Sequence, residues 1–572
     1  MKLQRWFTLA SALASPLFAA NLELTIEPVF NGEPLRLDSL RYESSARETI
    51  SVTRLSYLLS GFALEREDGQ WTEVPDAIAW IDTASRRHAV LLESIPPGKF
   101  RSIRFHIGPD AAQNSSDVTR FPADHPLNPN LNGLHWTWQT GYIFLAIEGH
   151  YRGANSEPKG YAHHLARDPN RTRITLGSAL DLSHDAGALI HFDIATLLNA
   201  PRPLSFDGDG SATHSREGDP IAAALVANLP GAFRLHRIAS SAPVLGNLPP
   251  VKPIDLPEKF TPYRFTMSRT FPMPDLPRDN PLIEERVALG EKLFHEKALS
   301  RDGTISCATC HQADAAFTDK LAVSKGIDGK TGERNSMPLF NLAWKREFFW
   351  DGRASSLRQQ VLMPIEDHRE MGESLDRVVE KLTASAEYPN LFRAAYRSDG
   401  INAGKISLAL EQFLLTLSAR DSRFDRAMAG KADLTDEEQR GFELFMTEYE
   451  PRTGQYGADC FHCHGGALFS DHQFHNNGLT GDDRGRSAVT GSSADEHKFS
   501  TPSLRNIALT APYMHDGRFA TLEEVVEHYS SGVQRSATLD PNLAKHPAKG
   551  LNFSAADKAA LVAFLKTLTD CP

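Results

Sequence analysis

Hydrophobic and polar residues alternate along several short stretches in the first 240 residues. Leu22, Leu24 and Ile26 alternate with polar residues, as expected for a β-strand with one buried face. Residues 100–107 form a second short extended run, and residues 142–148 are apolar at almost every position, which predicts a strand buried on both faces. Asn, Gly, Pro and Asp separate these stretches. The pattern predicts an all-β sandwich or barrel over residues 21–240.

The hydrophobic period changes in the second half of the chain. Five prolines between residues 241 and 259 indicate a linker, which we assign to residues 241–265. Asn280 and Pro281 predict a helix start, and Val287, Leu293 and Phe294 then share one helical face. The same spacing recurs at Leu375, Val378, Val379 and Leu382, at Leu408, Phe413, Leu414 and Leu417, and at Leu561, Val562, Phe564 and Leu565 after a predicted cap at Ser554. This half is therefore predicted to be mainly α-helical.

Two C-x-x-C-H stretches lie in the helical half. They are Cys307-Ala308-Thr309-Cys310-His311 and Cys460-Phe461-His462-Cys463-His464. This is the attachment pattern of c-type heme, in which two thioethers hold the porphyrin and the histidine is the proximal iron ligand. One such motif could arise by chance or form a zinc knuckle, but the two together use four of the five cysteines. We predict one covalent heme in each of two lobes, residues 266–440 and 441–572.

Length, charge and the N-terminus set the class of protein. A chain of 572 residues is too long for one core, and its 41% hydrophobic and 23% charged residues are typical of a soluble protein. The net charge of −11 argues against a nucleic-acid partner. Residues 1–20 resemble a secretory signal cleaved near Ala20. Their apolar run is shorter than the roughly 20 residues of a membrane span, which argues against a membrane anchor. No later stretch is apolar enough to span a membrane. Covalent heme attachment normally follows export, so the heme motifs and the signal together predict a bacterial periplasmic protein.

The helical half resembles the bacterial diheme cytochrome c peroxidase superfamily, which includes the MauG-like enzymes. Besides the first heme motif, the matching stretches are Arg-Asn at 334–335, Phe-Trp-Asp-Gly-Arg at 349–353, Pro-Ser-Leu-Arg-Asn-Ile at 502–507 and Thr-Ala-Pro-Tyr-Met-His-Asp-Gly-Arg at 510–518. The resemblance implies a peroxide site on the first heme. There Glu370 would be the acid/base, Gln360 would orient peroxide or water, and Pro364 would keep the iron position open. Trp350 would carry charge between the hemes.

The second heme decides between two kinds of enzyme. Conventional members of the superfamily use methionine as its sixth ligand, whereas the corresponding residue here is Tyr529, as in MauG-like enzymes; the neighbouring His528 is the alternative ligand. A thioether raises the reduction potential of iron, while a phenolate favours its oxidised states. The resemblance implies that both hemes share the two oxidising equivalents of peroxide in a bis-Fe(IV)-type state. Residues 321–328 also lack the loop histidine of conventional peroxidases.

The resemblance to this superfamily also implies a bound calcium ion. Asn335, Thr510 and Pro512 match the positions that bind calcium between the two hemes. Thr510 and Pro512 would do so through backbone oxygen. Hard oxygen ligands of this kind suit calcium.

The β half resembles the MbnP-type periplasmic copper-binding proteins, which accompany the MauG-like enzyme MbnH. The matching stretches are residues 57–65 and 136–144. The resemblance implies that a tryptophan is converted to kynurenine beside a copper site. Trp138 is our first candidate and Trp136 the second, with two ordinary core indoles as the alternative. His164 and His106 are the candidate copper ligands, since copper favours imidazole.

Three hypotheses follow from the sequence. The first is a natural MbnP–MbnH-like fusion, an H2O2-dependent diheme oxidoreductase that oxidises a tryptophan of its own N-terminal domain and so matures a copper site. The second is a conventional cytochrome c peroxidase that reduces H2O2 to water, with electrons from a small periplasmic donor and the β domain as a binding module. The third is a non-enzymatic copper carrier or electron-transfer protein, against which Glu370 over an open first heme argues.

Overall fold

The structure is a computed structural model that describes residues 19–136, 141–153, 156–239 and 254–570. Trp138, Cys571, residues 1–18 of the predicted signal sequence and most of the proline-rich stretch lie outside the described residues. Within those ranges, no helix is both long enough and apolar enough to cross a membrane.

The N-terminal half is built from two β-sheets. In its described part the strands of five or more residues are Ala20–Phe30, Arg54–Arg66, Ile78–Asp82, Ala89–Ile95, Lys99–Ile107, Gly141–Arg152, Lys159–Ala166, Thr172–Asp181, Ala186–Asp193 and Phe233–Ala239. The larger sheet runs in the order Thr172–Asp181, Lys99–Ile107, Arg54–Arg66, Gly141–Arg152, Lys159–Ala166 and the short strand Ala212–Thr213. The smaller sheet contains Phe233–Ala239, Ala186–Asp193, Ala20–Phe30 and Glu33–Pro34, with Ala89–Ile95 also paired to Ala20–Phe30. The predicted β-rich domain is confirmed.

The burial of the strands follows the sequence pattern. Leu22, Leu24 and Ile26 are fully buried, while the polar residues between them are half-buried. The Gly141–Arg152 strand is buried on both faces from residue 142 to residue 149, as its continuous apolar run predicts. Each such buried Leu or Ile contributes about 1.5–3 kcal/mol through removal of apolar surface from water. The described helices of six or more residues in this half are Ile194–Asn199 and Pro220–Ala232.

The C-terminal half is helical and has two separate apolar cores. Its described helices of six or more residues are Glu284–Phe294, Leu375–Ala384, Tyr388–Ala395, Ala403–Thr416, Arg423–Met428, Asp436–Phe445, Leu522–Glu527 and Ala555–Lys566. Ser554 caps the last of these through a hydrogen bond from the backbone N–H of Asp557, as predicted. The fold class inferred from the sequence, a β domain followed by a mainly α diheme region, is therefore confirmed.

The predicted helix start at Asn280 is wrong. The helix begins at Glu284, four residues later. The Asn280 side chain is fully buried and donates to Glu411 Oε2 at 2.8 Å, while its own oxygen accepts from Arg286 at 2.6 Å. These tertiary hydrogen bonds occupy the side chain that the local rule assigned to a helix cap.

The two halves of the chain are packed against each other. His150 Nε2 donates to the carbonyl oxygen of Leu539 at 2.8 Å, and Asn542 Nδ2 donates to Glu148 Oε2 at 3.2 Å. At Gly160 the two backbones approach closely, because an added Cβ would lie 1.8 Å from the carbonyl oxygen of Pro541. The Lys159–Ala166 strand therefore needs glycine at this position to reach the second heme lobe.

We expect Gly160→Ala to loosen the contact between the two halves. The extra methyl group has no space against the Pro541 backbone, and such overpacking costs about 1–3 kcal/mol. Gly177→Ala is a matched control, since it lies in a strand of the same sheet and its added Cβ would meet nothing within 4 Å. Limited proteolysis between the two halves should be several-fold faster in Gly160→Ala alone. Equal rates in both variants would contradict this role of the interface.

Candidate heme sites and the contact between the two halves

A large cavity in the first helical lobe contains the residues of the first heme motif. It encloses about 480 Å³. Its lining includes Cys307, Cys310 and His311 together with Trp350, Gln360, Pro364 and Glu370, which the sequence analysis selected. Cys307 is the first residue of the short helix Cys307–Cys310 and Cys310 is its last. The two thiols are therefore about one turn apart and face the same side. The cavity thus brings covalent attachment points, a histidine and the predicted peroxide-side residues together.

Both motif histidines are oriented as heme ligands require. His311 Nδ1 donates to the carbonyl oxygen of Phe317 at 2.8 Å, and His464 Nδ1 donates to that of Phe469 at 3.1 Å. A backbone bond of this kind fixes the tautomer and leaves Nε2 as the free, basic nitrogen. The donor set of each motif therefore fits a c-type heme, with its iron held by Nε2.

Glu370 is a carboxylate on the wall of the first cavity that binds its proton more tightly than usual. Burial raises the pKa of its carboxyl group, and the nearby charge of Asp367 raises it further. Arg353 and Arg369 oppose this shift. A carboxyl group whose pKa moves toward neutral can both accept and return a proton near the working pH.

Trp350 lies on the same cavity wall and also contacts the second lobe. Its indole N–H donates to the carbonyl oxygen of Asn335 at 2.9 Å, and its own carbonyl oxygen accepts from Ser500 N at 2.7 Å. Asn335 N in turn donates to the carbonyl oxygen of His515 at 2.8 Å. These bonds place Trp350 at the boundary of the lobes and bring the Asn335 segment beside the segment of Thr510 and Pro512.

Tyr529 lies in the second lobe within the π-helical turn His528–Gly532. Such turns are rare and occur often at functional sites. The Tyr529 hydroxyl lies 3.3 Å from Asn477 Nδ2, whereas His528 Nε2 donates to the Asn477 carbonyl oxygen at 3.0 Å. Burial raises the pKa of the Tyr529 phenol to about 12. Ionisation at neutral pH would therefore need a cation such as heme iron opposite the oxygen.

A cluster of three histidines lies where the β half meets the second heme motif. His164 and His214 come from the β half, and His462 lies between Cys460 and Cys463. One ring nitrogen from each lies within 4.8 Å of the others. The ring centroids of His164 and His214 are 5.2 Å apart, and those of His214 and His462 are 5.3 Å apart. The three imidazoles are close enough to bind one metal ion after small ring rotations.

Buried carboxylates orient these imidazoles. His164 Nε2 donates to Glu148 Oε1 at 2.9 Å, and His462 Nε2 donates to Glu448 Oε2 at 3.0 Å. Although burial raises the pKa of Glu148, the charge of Arg54 and the hydrogen bond from His164 hold it well below its usual range. Burial lowers the pKa values of His164 and His214, so both imidazoles are neutral near pH 7. Neutral imidazole is the form that binds metals.

Trp136 packs directly on this cluster. Its side chain is 6% exposed. The centroid of its ring lies 5.3 Å from that of His214 and 6.2 Å from that of His164. His214 in turn contacts Phe461 with ring centroids 5.9 Å apart. A continuous series of rings thus joins Trp136 to the peptide that carries the second heme.

The structure does not bring the two predicted copper ligands together. His106 lies in the Lys99–Ile107 strand, and two strands of the sheet separate it from the strand of His164. Burial and the charges of Arg171 and Arg104 lower the pKa of His106 to about 4. His214 and His462, which do lie beside His164, were missed, and nothing in the local sequence of His214 marks it as a ligand. A histidine between two heme cysteines was the one available signal.

Comparisons with known proteins agree with this architecture. A family model described as MbnP matches residues 19–214, and a model described as di-haem cytochrome c peroxidase matches residues 284–433. The methylamine utilization protein MauG of Methylorubrum extorquens is 40% identical over 297 residues, which cover 51% of this chain and 80% of that protein. Cytochrome c551 peroxidase of Nitrosomonas europaea is 32% identical over 311 residues, covering 53% and 85%.

A solved structure described as a MauG-like protein associated with microbial copper homeostasis is also similar. It shares 36% sequence identity at a TM-score of 0.49, over 54% of this chain and 96% of its own.

The fold and the two heme motifs define a diheme peroxidase-type oxidoreductase joined to a β domain. The chain belongs to the MauG-type di-haem cytochrome c peroxidase family and carries an MbnP domain in the same polypeptide. The predicted fusion, the enzyme class and the two c-type hemes are thereby confirmed.

Proposed function

We propose that this chain is a periplasmic enzyme that uses hydrogen peroxide to oxidise Trp136 of its own MbnP domain to kynurenine, and so matures a copper site. The observation that carries the proposal is the series of ring contacts from Trp136 through His214 to Phe461 and His462. Phe461 and His462 are the two residues between the heme-binding cysteines of the second motif. Oxidising equivalents would therefore leave the diheme half where the substrate side chain is packed.

The overall reaction balances with peroxide as the oxidant. Two molecules of H2O2 each take two electrons from the indole and leave one water, and the pyrrole ring opens to N-formylkynurenine with two added oxygen atoms. Water then cleaves the formyl group as formic acid. The residue gains one oxygen atom and loses one carbon atom in total, while both peroxides are reduced to water.

The protein residues have separate roles in this reaction. The bound hemes supply the redox chemistry of peroxide cleavage and charge storage. Glu370 would take the proton from the near peroxide oxygen and return it to the far one, while Gln360 orients the peroxide and Pro364 offers the iron no donor. Trp350 would carry charge between the lobes. Tyr529 would be the sixth ligand of the second heme, and Asn335, Thr510 and Pro512 would hold a calcium ion between the lobes.

Glu370→Gln tests the proton-transfer role. We expect the rate of the reaction with peroxide to fall by about 100-fold or more, because general acid–base groups contribute that much. The raised pKa of Glu370 means that its carboxylate form is lost as the pH falls through a value above the usual 4.5. The acid limb of the wild-type pH–rate profile should lie in that region and should be absent from Glu370→Gln.

Glu366→Gln is the matched control, since Glu366 is an exposed carboxylate on the same segment. Stopped-flow absorbance of the hemes gives the rates, and intact mass gives the product. The control should keep the wild-type rate and profile. A Glu370→Gln variant that reacts as fast as the control would remove Glu370 from the mechanism. If the wild type oxidises a reduced small cytochrome at speed without changing its own mass, the chain is a conventional peroxidase instead.

A further inference from the structure

We propose that the diheme half itself provides a ligand to the copper ion, so that His164 and His214 of the MbnP domain and His462 of the second heme motif form one metal site. This inference extends the proposed function, because it concerns the metal site beside the proposed substrate residue. It differs from a copper site confined to the β domain, in which His462 would have no part.

The three imidazoles have the features of a metal site. His164 is 2% exposed, and the side chain of His462 is 4% exposed. His164 Nδ1 is buried and has no hydrogen-bond partner among the described residues. Its other nitrogen is held by Glu148. Metal-binding histidines are typically held in this way, with one nitrogen on a carboxylate and the other free for the metal.

Glu448 connects the ligands from the two halves. Its Oε2 atom lies 3.0 Å from His462 Nε2 and 3.1 Å from His214 Nε2. Within the described ranges, His214 Nε2 makes no hydrogen bond with acceptable geometry despite its burial. Lys545 pairs with Glu448 and lies 3.2 Å from Asp459, which fixes the carboxylate in place. Glu448 and the residues that hold it therefore come from the same lobe as the second heme, while Glu148 holds His164 from the β half.

The donor chemistry favours copper. Three imidazoles form a nitrogen-rich site, and among divalent first-row metals Cu²⁺ binds such sites most tightly. Because His462 lies between the cysteines that attach the second heme, the ion would share a peptide segment with that heme. The metal would also be held only while the two halves are docked, since no single half provides all three nitrogens.

Titration of the heme-loaded full chain with cupric ion alone, before any exposure to peroxide, tests the site. The wild type should bind one tight Cu²⁺ with three imidazole nitrogens visible by electron paramagnetic resonance. His462→Gln should lower the affinity at least about tenfold and remove one nitrogen, since even indirect metal partners contribute that much. His214→Gln, in the β half, should also lower the affinity and remove one nitrogen. Exposed His295→Gln is the control and should bind as the wild type does.

Two outcomes overturn the inference. One is a His462→Gln protein with full heme content and wild-type copper affinity, which would leave the metal to the β domain alone. The other is an electron paramagnetic resonance spectrum that is the same in the wild type, in His214→Gln and in His462→Gln. Either result would leave the oxidation of Trp136 untouched, because that reaction is measured separately by mass. Conversely, tight three-histidine binding in a chain whose Trp136 never changes would refute the proposed function and keep the site.

Discussion

Replacing Trp136 with phenylalanine abolishes the peroxide-dependent mass change of the β domain in our account. Phenylalanine keeps a buried ring against His214 but has no pyrrole ring to open. Among the described tryptophans, Trp136 is the one whose indole contacts the rings that lead to the second heme motif. We therefore expect complete loss of the product that gains one oxygen and loses one carbon. Peptide mapping after treatment with peroxide measures this directly.

Two other tryptophans serve as controls for this experiment. Trp80→Phe changes a half-buried indole whose N–H donates to Ser56 Oγ at 2.8 Å. Trp138→Phe tests the residue that the sequence analysis ranked first and that lies outside the described residues. Both variants should still form kynurenine. Loss of product in Trp138→Phe with normal product in Trp136→Phe would move the reaction to residue 138 and contradict our assignment.

Tyr529→Met should convert the second heme into an electron-accepting heme. A phenolate stabilises oxidised iron, whereas a neutral thioether stabilises the reduced state. We expect the reduction potential of this heme to rise by on the order of a few hundred millivolts, a substantial part of the range that axial ligands set. Tyr529→Phe removes the ligand without replacing it. In both variants the near-infrared absorption of charge shared between the hemes should vanish, and kynurenine formation with it.

His528→Gln is the control for the ligand assignment. His528 Nε2 is hydrogen-bonded to the carbonyl oxygen of Asn477, and the Tyr529 hydroxyl contacts the Asn477 side chain. Replacing His528 should leave the potential and the near-infrared absorption close to wild type. Potentiometry combined with near-infrared spectroscopy distinguishes Tyr529 from His528 as the sixth ligand. If His528→Gln alone removes the absorption, histidine is the sixth ligand and the comparison with MauG-like enzymes fails at this residue.

The parts of the site that sequence could predict are those encoded by contiguous residues. Covalent attachment requires two cysteines and a histidine within five positions, so Cys307 and Cys460 mark their hemes without a structure. The buried Gly141–Arg152 strand could be predicted for a similar reason, because a strand buried on both faces needs apolar residues at consecutive positions. By contrast, a local capping rule failed at Asn280, whose side chain is held by Glu411 from 131 residues away.

The histidine cluster could not be predicted, because it exists only where two separately encoded surfaces meet. His164 reaches His214 through the pairing of the Lys159–Ala166 strand with Ala212–Thr213. His462 joins them because the close approach at Gly160 lets the strand pack on the Pro541–Ala544 helix. Neither contact leaves a periodic pattern in the sequence. The ranking of Trp138 over Trp136 likewise rested on a motif, whereas the ring contacts that join Trp136 through His214 to the second heme motif depend on this docking.

The most direct test of the account is to treat the heme-loaded wild-type chain with hydrogen peroxide at low protein concentration and to map the peptide that contains residue 136. Residue 136 should gain one oxygen and lose one carbon, with a rate independent of protein concentration because the substrate belongs to the same chain. An unmodified Trp136 in a chain that has consumed the added peroxide would contradict it.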